Sequence, residues 1–145
     1  MPHAINATEL YRKMQTGNRG NLLLPPPSFT VMQSKIVDFC ESSRSITVKI
    51  PVLEAWLNPY GTMQGGMINA AIDNAVGPLS LLVAPLSMTR TMETKFVKPI
   101  TMEIGTIHVK AVLNETRKKR LTFGVSVEDE SGNVFCRSTV VNFVI

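Results

Sequence analysis

Asp73 is the one acidic residue in a long apolar stretch, residues 67–85 (MINAAIDNAVGPLSLLVAP), and that stretch opens directly behind Gln64-Gly65-Gly66. A carboxylate among Met, Ile, Ala, Val and Leu is costly to bury ionised unless it has partners or a task. As a task, it can take a proton from water or attack an electrophilic carbon itself. As a partnered structural group, it can cap a backbone donor or pair with an Arg or Lys. The two glycines carry the same duality. A glycine pair permits close packing at a helix start, and a helix start also presents unpaired N–H groups and partial positive charge, which suit a developing oxyanion.

Few other residues offer chemistry. Asn58 stands in a loop-forming string and is a good turn residue. Arg117-Lys118-Lys119-Arg120 reads as a solvated hairpin tip that could also hold an anion. Met63, Met67, Met88 and Met92 suit plain core filling or an adaptable apolar pocket. Cys40 and Cys136 lack metal-ligand spacing and read as buried thiols. The histidines are His3, near the start of the chain, and His108, which alternates with Ile107 and Val109 as a packed or solvated strand residue does. No Gly-x-Ser-x-Gly elbow, phosphate-cradling glycine loop or zinc spacing occurs, which disfavours a serine hydrolase, a nucleotide hydrolase and a metalloenzyme.

The elements that must position these residues follow from periodicity. Residues 8–14 place Leu10, Tyr11 and Met14 at helical spacing, with Gly17 and Gly20 behind them as a stop. Pro25-Pro26-Pro27 reads as an extended surface spacer. Residues 45–52 alternate, with Ile46, Val48, Ile50 and Val52 on one face, as a half-buried strand does. The apolar stretch reads as a buried helix that Gly77-Pro78 should kink or stop. Alternation resumes at Met92/Thr94/Phe96, at 107–113 and at 121–127, with turns at 114–119 and 130–133 before a last strand over 134–144. A strand, a buried helix and then four antiparallel strands imply an α+β fold, a curved sheet wrapped around one long helix.

Composition sets the outer bounds. The chain has 145 residues, 44% of them hydrophobic and 18% charged, which suits a single domain with its own core: 1–35 as an N-terminal helix and Pro-rich extension, 36–145 as the core. The net charge of +4 is a mild basic bias that suits a small anionic ligand better than nucleic acid. Asp73, Asn74 and Pro78 interrupt the apolar stretch, so no membrane insertion is expected. The N-terminus lacks the layout of a secretory signal, so a cytoplasmic protein is expected.

The string Asn58-x-x-Gly61-x-x-Gln64-Gly65-Gly66-Met67, with Asp73 nine positions after Gln64, resembles the PaaI-like (phenylacetate-pathway type) hotdog-fold acyl-CoA thioesterases. Their pattern is Asn-x-x-Gly-x-x-His-Gly-Gly followed by an acidic residue at that distance. Residues 92–100 (METKFVKPI) are similar to the strand after their helix, so the likeness covers roughly 45–145. It implies a hotdog fold and hydrolysis of an acyl-CoA thioester without metal or redox cofactor, coenzyme A being part of the substrate. By resemblance, Asp73 activates water or attacks the thioester, and the Gly65 N–H is the oxyanion donor. Asn58 holds the attacking water or the thioester region from the loop side, Gln64 hydrogen-bonds nearby, and the Thr89 hydroxyl sits near the water. Gly66 and Met67 are expected to contact the substrate, and because coenzyme A carries a 3′-phosphate and a diphosphate, exposed Arg117, Lys118, Lys119 and Arg120 would bind these. It also implies a homodimer or homotetramer in which the acid comes from one subunit and the loop glycine from its neighbour. Gln64 departs from the pattern: glutamine donates a hydrogen bond but cannot titrate near neutral pH. That departure is the chief feature favouring a non-catalytic acyl-CoA-binding module, and Asp73 is the chief feature against one. A hydratase of the same fold would need a catalytic histidine.

Overall fold

The computed structural model describes residues 5–17 and 19–145, so His3 lies outside the described residues. Six strands form one antiparallel sheet in the order β1-β2-β4-β5-β6-β3: β1 (Lys35–Cys40), β2 (Ser45–Pro51), β3 (Ser87–Phe96), β4 (Thr106–Arg117), β5 (Arg120–Glu128) and β6 (Val134–Val144). Among the described residues three α-helices accompany it: α1 (Ala7–Met14), α2 (Pro27–Val31) and α3 (Gly65–Val83). The inward positions Ile46, Val48, Ile50, Ile107, Val109, Phe123 and Val127 are buried. They close on Ile68, Ile72, Ala75, Val76 and Leu79 of α3, which packs chiefly against β4 and β2. The expected sheet around a long helix is therefore present.

Several expectations need correction. β1 has no clean alternation to announce it, because a bulge between Ile36 and Asp38 breaks the pattern and only Ile36 is fully buried. Pro25-Pro26-Pro27 is more than a spacer: Pro27 opens α2, where its fixed φ and missing N–H cost nothing. The turn expected over 114–119 shrinks to Lys118-Lys119, since Arg117 still pairs with Arg120 and Lys118 takes φ 56°. Pro78 does not end α3, which continues to Val83. The residue before a proline resists the helical region largely through its Cβ, and Gly77 has none. Cys136 is buried, as expected, and burial pushes its thiol up to about 11. Cys40 is only half-buried, and hydrogen bonds from Ser42 and then Ser43 lower its thiol to about 7.

Among the described residues α3 alone has the length and hydropathy to cross a membrane. Its apolar side is covered by the sheet, so the polar interruptions read from the sequence are not what accounts for its place in the fold.

Both ends of α3 are held. At the start, the Met63 N–H donates to the Ile100 carbonyl at 2.7 Å and the Gln64 N–H to the Trp56 carbonyl at 2.8 Å. At the end, the Arg19 guanidinium donates to the carbonyls of Leu81 (2.6 Å) and Ala84 (3.0 Å), and also to Met14 at the end of α1 (2.9 Å). A cation at two helix C-termini satisfies orphan carbonyls and complements both dipoles. Arg19→Ala is expected to destabilise the fold by about 1–3 kcal/mol in urea unfolding, the cost of carbonyls left without a charged donor.

Candidate active site

Asp73 projects from the side of α3 opposite the buried ridge and is exposed in the single chain. The expectation of a carboxylate sequestered among apolar side chains is thereby corrected. The apolar neighbours in sequence, Ile72, Ala75 and Val76, turn inward to the sheet, because a helix carries adjacent residues about 100° apart. One carboxylate oxygen, Oδ1, accepts a hydrogen bond from the Thr89 hydroxyl at 3.2 Å. Protein crowds the carboxyl on its β3 side while its outer side meets water. The crowding pushes its pKa above the ordinary carboxylate value, and the Thr89 hydroxyl pulls the other way.

Thr89 reaches Asp73 because of a bulge. Thr89 pairs with Asn142 and Thr91 with Val141, so Arg90 is the extra residue, and its guanidinium lies 4.9 Å from the Phe143 ring centroid. Such bulges re-aim side chains beside functional groups.

The glycine half of the site is a separate cluster. Gln64 is the N-cap of α3, with φ −61° and ψ 139° and no side-chain capping bond. Gly65 and Gly66 follow, and among the described residues neither N–H has an acceptor. Asn58 is committed to the loop in front of them: its Oδ1 accepts from the N–H groups of Tyr60 (3.0 Å) and Thr62 (3.1 Å), and its Nδ2 donates to Thr62 Oγ1 (2.9 Å). It acts by shaping the turn that delivers Gln64-Gly65. A cavity of about 240 Å³ opens here, lined by Met63, Gly65, Ile68, Phe96, Lys98 and Ile100 among others. Of the four methionines, Met63 lines it, Met67 and Met92 are half-buried elsewhere, and Met88 is exposed. A larger hollow of about 890 Å³ on the outer sheet face, lined by Thr47, Lys95, Lys110 and Arg137 among others, contains none of the candidate residues. The smaller cavity is the relevant one, because it holds the free helix N-terminus.

Within one chain the two halves do not meet. Gly65 and Asp73 are eight residues apart on one helix, a rise of about 12 Å. The tetrabasic tip lies nearer the acid. Arg120 pairs with Phe143, which pairs with Met88 beside Thr89, so the tip is two strand spacings, about 10 Å, from the Asp73–Thr89 pair. Arg117, Lys118, Lys119 and Arg120 are all exposed. His108 is half-buried on β4, its Nδ1 lacking a partner among the described residues. Two residues escaped the sequence reading. Phe96 lays its ring 3.4 Å from where a Gly65 Cβ would be, and Asn69 Oδ1 accepts from Thr94 Oγ1 at 2.6 Å. Helical spacing of Gly65, Asn69 and Asp73 was the available signal. Among the described residues no three of His, Cys, Asp and Glu gather as a metal site does.

No protein-family model matches the chain, and no curated protein matches it in sequence. Solved structures do match in fold. A phenylacetic acid degradation-related protein from Ralstonia eutropha superposes with TM-score 0.79 at 20% identity, covering 93% of this chain and 98% of its own. PaaI from the phenylacetic acid degradation operon of E. coli gives 0.75 at 12% identity, covering 94% of each. A hypothetical thioesterase from Streptococcus pneumoniae, solved with coenzyme A, gives 0.71 at 18%, covering 77% of this chain and 85% of its own. The chain therefore has the fold of the PaaI-like thioesterases.

The raised pKa of Asp73 has a stability consequence with a definite sign. Folding favours its protonated form, so the stability this group contributes is present in acid and is lost as pH rises through the folded pKa. Asp73→Asn should therefore raise Tm relative to wild type at pH 7, and the gain should vanish below the ordinary carboxylate range. Thermal unfolding across pH checks this.

Proposed function

We propose that the protein is an acyl-CoA thioesterase whose active site is completed by two copies of the chain. The observation that carries this reading is the Asp73–Thr89 pair: a carboxylate with a raised pKa, oriented by a hydroxyl at 3.2 Å, on a fold shared with thioesterases. Asp73 takes a proton from water, and the resulting hydroxide attacks the thioester carbon. The carbonyl electrons move onto oxygen, where the Gly65 N–H of the neighbouring copy donates a hydrogen bond to the oxyanion, and collapse expels the coenzyme A thiolate, which takes back the proton held by Asp73. A direct attack by Asp73, giving a mixed anhydride that water then opens, uses the same groups. Thr89 fixes the carboxylate, Asn58 shapes the glycine loop, and Gln64 donates a neutral amide hydrogen bond beside the carbonyl. Gly66 and Met67 line the approach to the thioester.

The two-copy assembly is supported by three features. The halves are about 12 Å apart in one chain, too far to act on one carbonyl. The ten-residue β3 is an edge strand with most of its side chains exposed, and a long unprotected edge invites pairing with another chain. Met88 and Phe96 on it, and Val97 just past its end, are exposed large hydrophobics. A homodimer is the minimum, and two such dimers in a homotetramer are compatible with it. The basic tip, Arg117 to Arg120, holds the coenzyme A phosphates.

A thiol-release assay over short, medium, long and aryl acyl-CoAs tests this reading. Wild type is expected to hydrolyse at least one class, with Asp73→Asn lowering kcat by about 100-fold or more, the scale for loss of a general base. Binding without turnover in both proteins would instead mark a non-catalytic acyl-CoA module. Lys118→Glu with Lys119→Glu should raise KM severalfold with kcat little changed, and an unchanged KM would remove the tip from the site.

A further inference from the structure

We infer that Asn69 sits on the two-fold axis of the assembled protein and pairs with the Asn69 of the second copy. The inference rests on the two-copy reading above and makes it specific. If Asp73 of one α3 faces Gly65 of an antiparallel neighbour, then positions equally distant from 69 face one another, and residue 69 meets its own copy. The side of α3 available for such a contact is the one that the sheet leaves uncovered: Gly66, Asn69, Ala70, Asp73 and Gly77 are exposed or half-exposed, recurring at helical spacing. Their small side chains let a second helix approach closely.

A separate observation places the axis near the same point. Three contacts join α3 to the edge strand: Phe96 against Gly65, Thr94 to Asn69 at 2.6 Å, and Thr89 to Asp73 at 3.2 Å. Phe96 and Thr89, the strand partners of Gly65 and Asp73, centre on residues 92–93, one to two residues from Thr94, so Asn69 lies near the place where a two-fold must pass if β3 pairs antiparallel with itself.

Chemistry at Asn69 suits that place. Its Oδ1 is oriented by Thr94, which in turn contacts Ser138 of β6 at 2.9 Å, while its NH2 has no acceptor among the described residues. A carboxamide carries both donor and acceptor, so two copies satisfy one another symmetrically, whereas a residue with only donors or only acceptors cannot. A polar pair at a helix–helix seam fixes register, as a buried Asn does in a coiled coil. Here register sets the separation between each Asp73 and the Gly65 across the seam.

Charge exchange at this position is the test, read by sedimentation and independent of turnover. Asn69→Asp and Asn69→Lys should each weaken self-association by about 100-fold or more, because like charges then face each other. An equimolar mixture, co-refolded so that chains unstable alone can pair, should recover a dimer. Variants that self-associate as tightly as wild type, or a mixture no tighter than either alone, would overturn the inference. A wild-type chain that is monomeric would overturn the two-copy reading itself.

Discussion

The rigid length of α3 is the constraint on which the remaining structure depends. A nucleophile and an oxyanion donor must both lie within about 3 Å of one carbonyl group. Gly65 and Asp73 are held about 12 Å apart by eight residues of continuous helix, and nothing in the chain can shorten that distance. One chain therefore carries two unlike halves, and the supporting structure keeps each in place. The sheet grips the apolar side of α3, the backbone bonds to Trp56 and Ile100 fix its start, and Arg19 fixes its end.

The electrostatics of the acid follow from the same arrangement. Asp73 is open to water on one side and crowded by β3 on the other, which is enough to raise its pKa while leaving room for a reactant. On the two-copy reading, a second α3 closes the open side. Loss of water there would strengthen both the pull of the Gly65 N–H on an oxyanion and the basicity of the carboxylate. The bulge at Arg90 keeps the Thr89 hydroxyl on the carboxylate, so its direction is set before substrate arrives.

Much of this was legible in the sequence because it depends on period and spacing. Alternation at 46–52, 107–113 and 121–127 reports burial on one sheet face, and the order of elements then leaves few ways to cover a long apolar helix. β1 was not legible, since its bulge interrupts alternation, nor was the passage of α3 through Pro78, which turns on the missing Cβ of Gly77. The acid's position was legible but its surroundings were not. Neighbours in sequence are not neighbours in space, so the apolar residues beside Asp73 point away from it. Asn69 and Phe96 gain meaning only from contacts with distant partners, which no local pattern encodes.

Subunit complementation measures the central claim directly. Gly65→Pro deletes the amide hydrogen at the first position of α3, where proline is tolerated, and Gln64 before it already has the extended backbone that proline requires. Gly65→Pro and Asp73→Asn should each be inactive in thiol release. Co-refolded in equal amounts, they should recover about a quarter of wild-type turnover, because half the dimers are mixed and each mixed dimer holds one intact site. A mixture as inactive as its components, with mixed dimers demonstrably formed, would contradict the account.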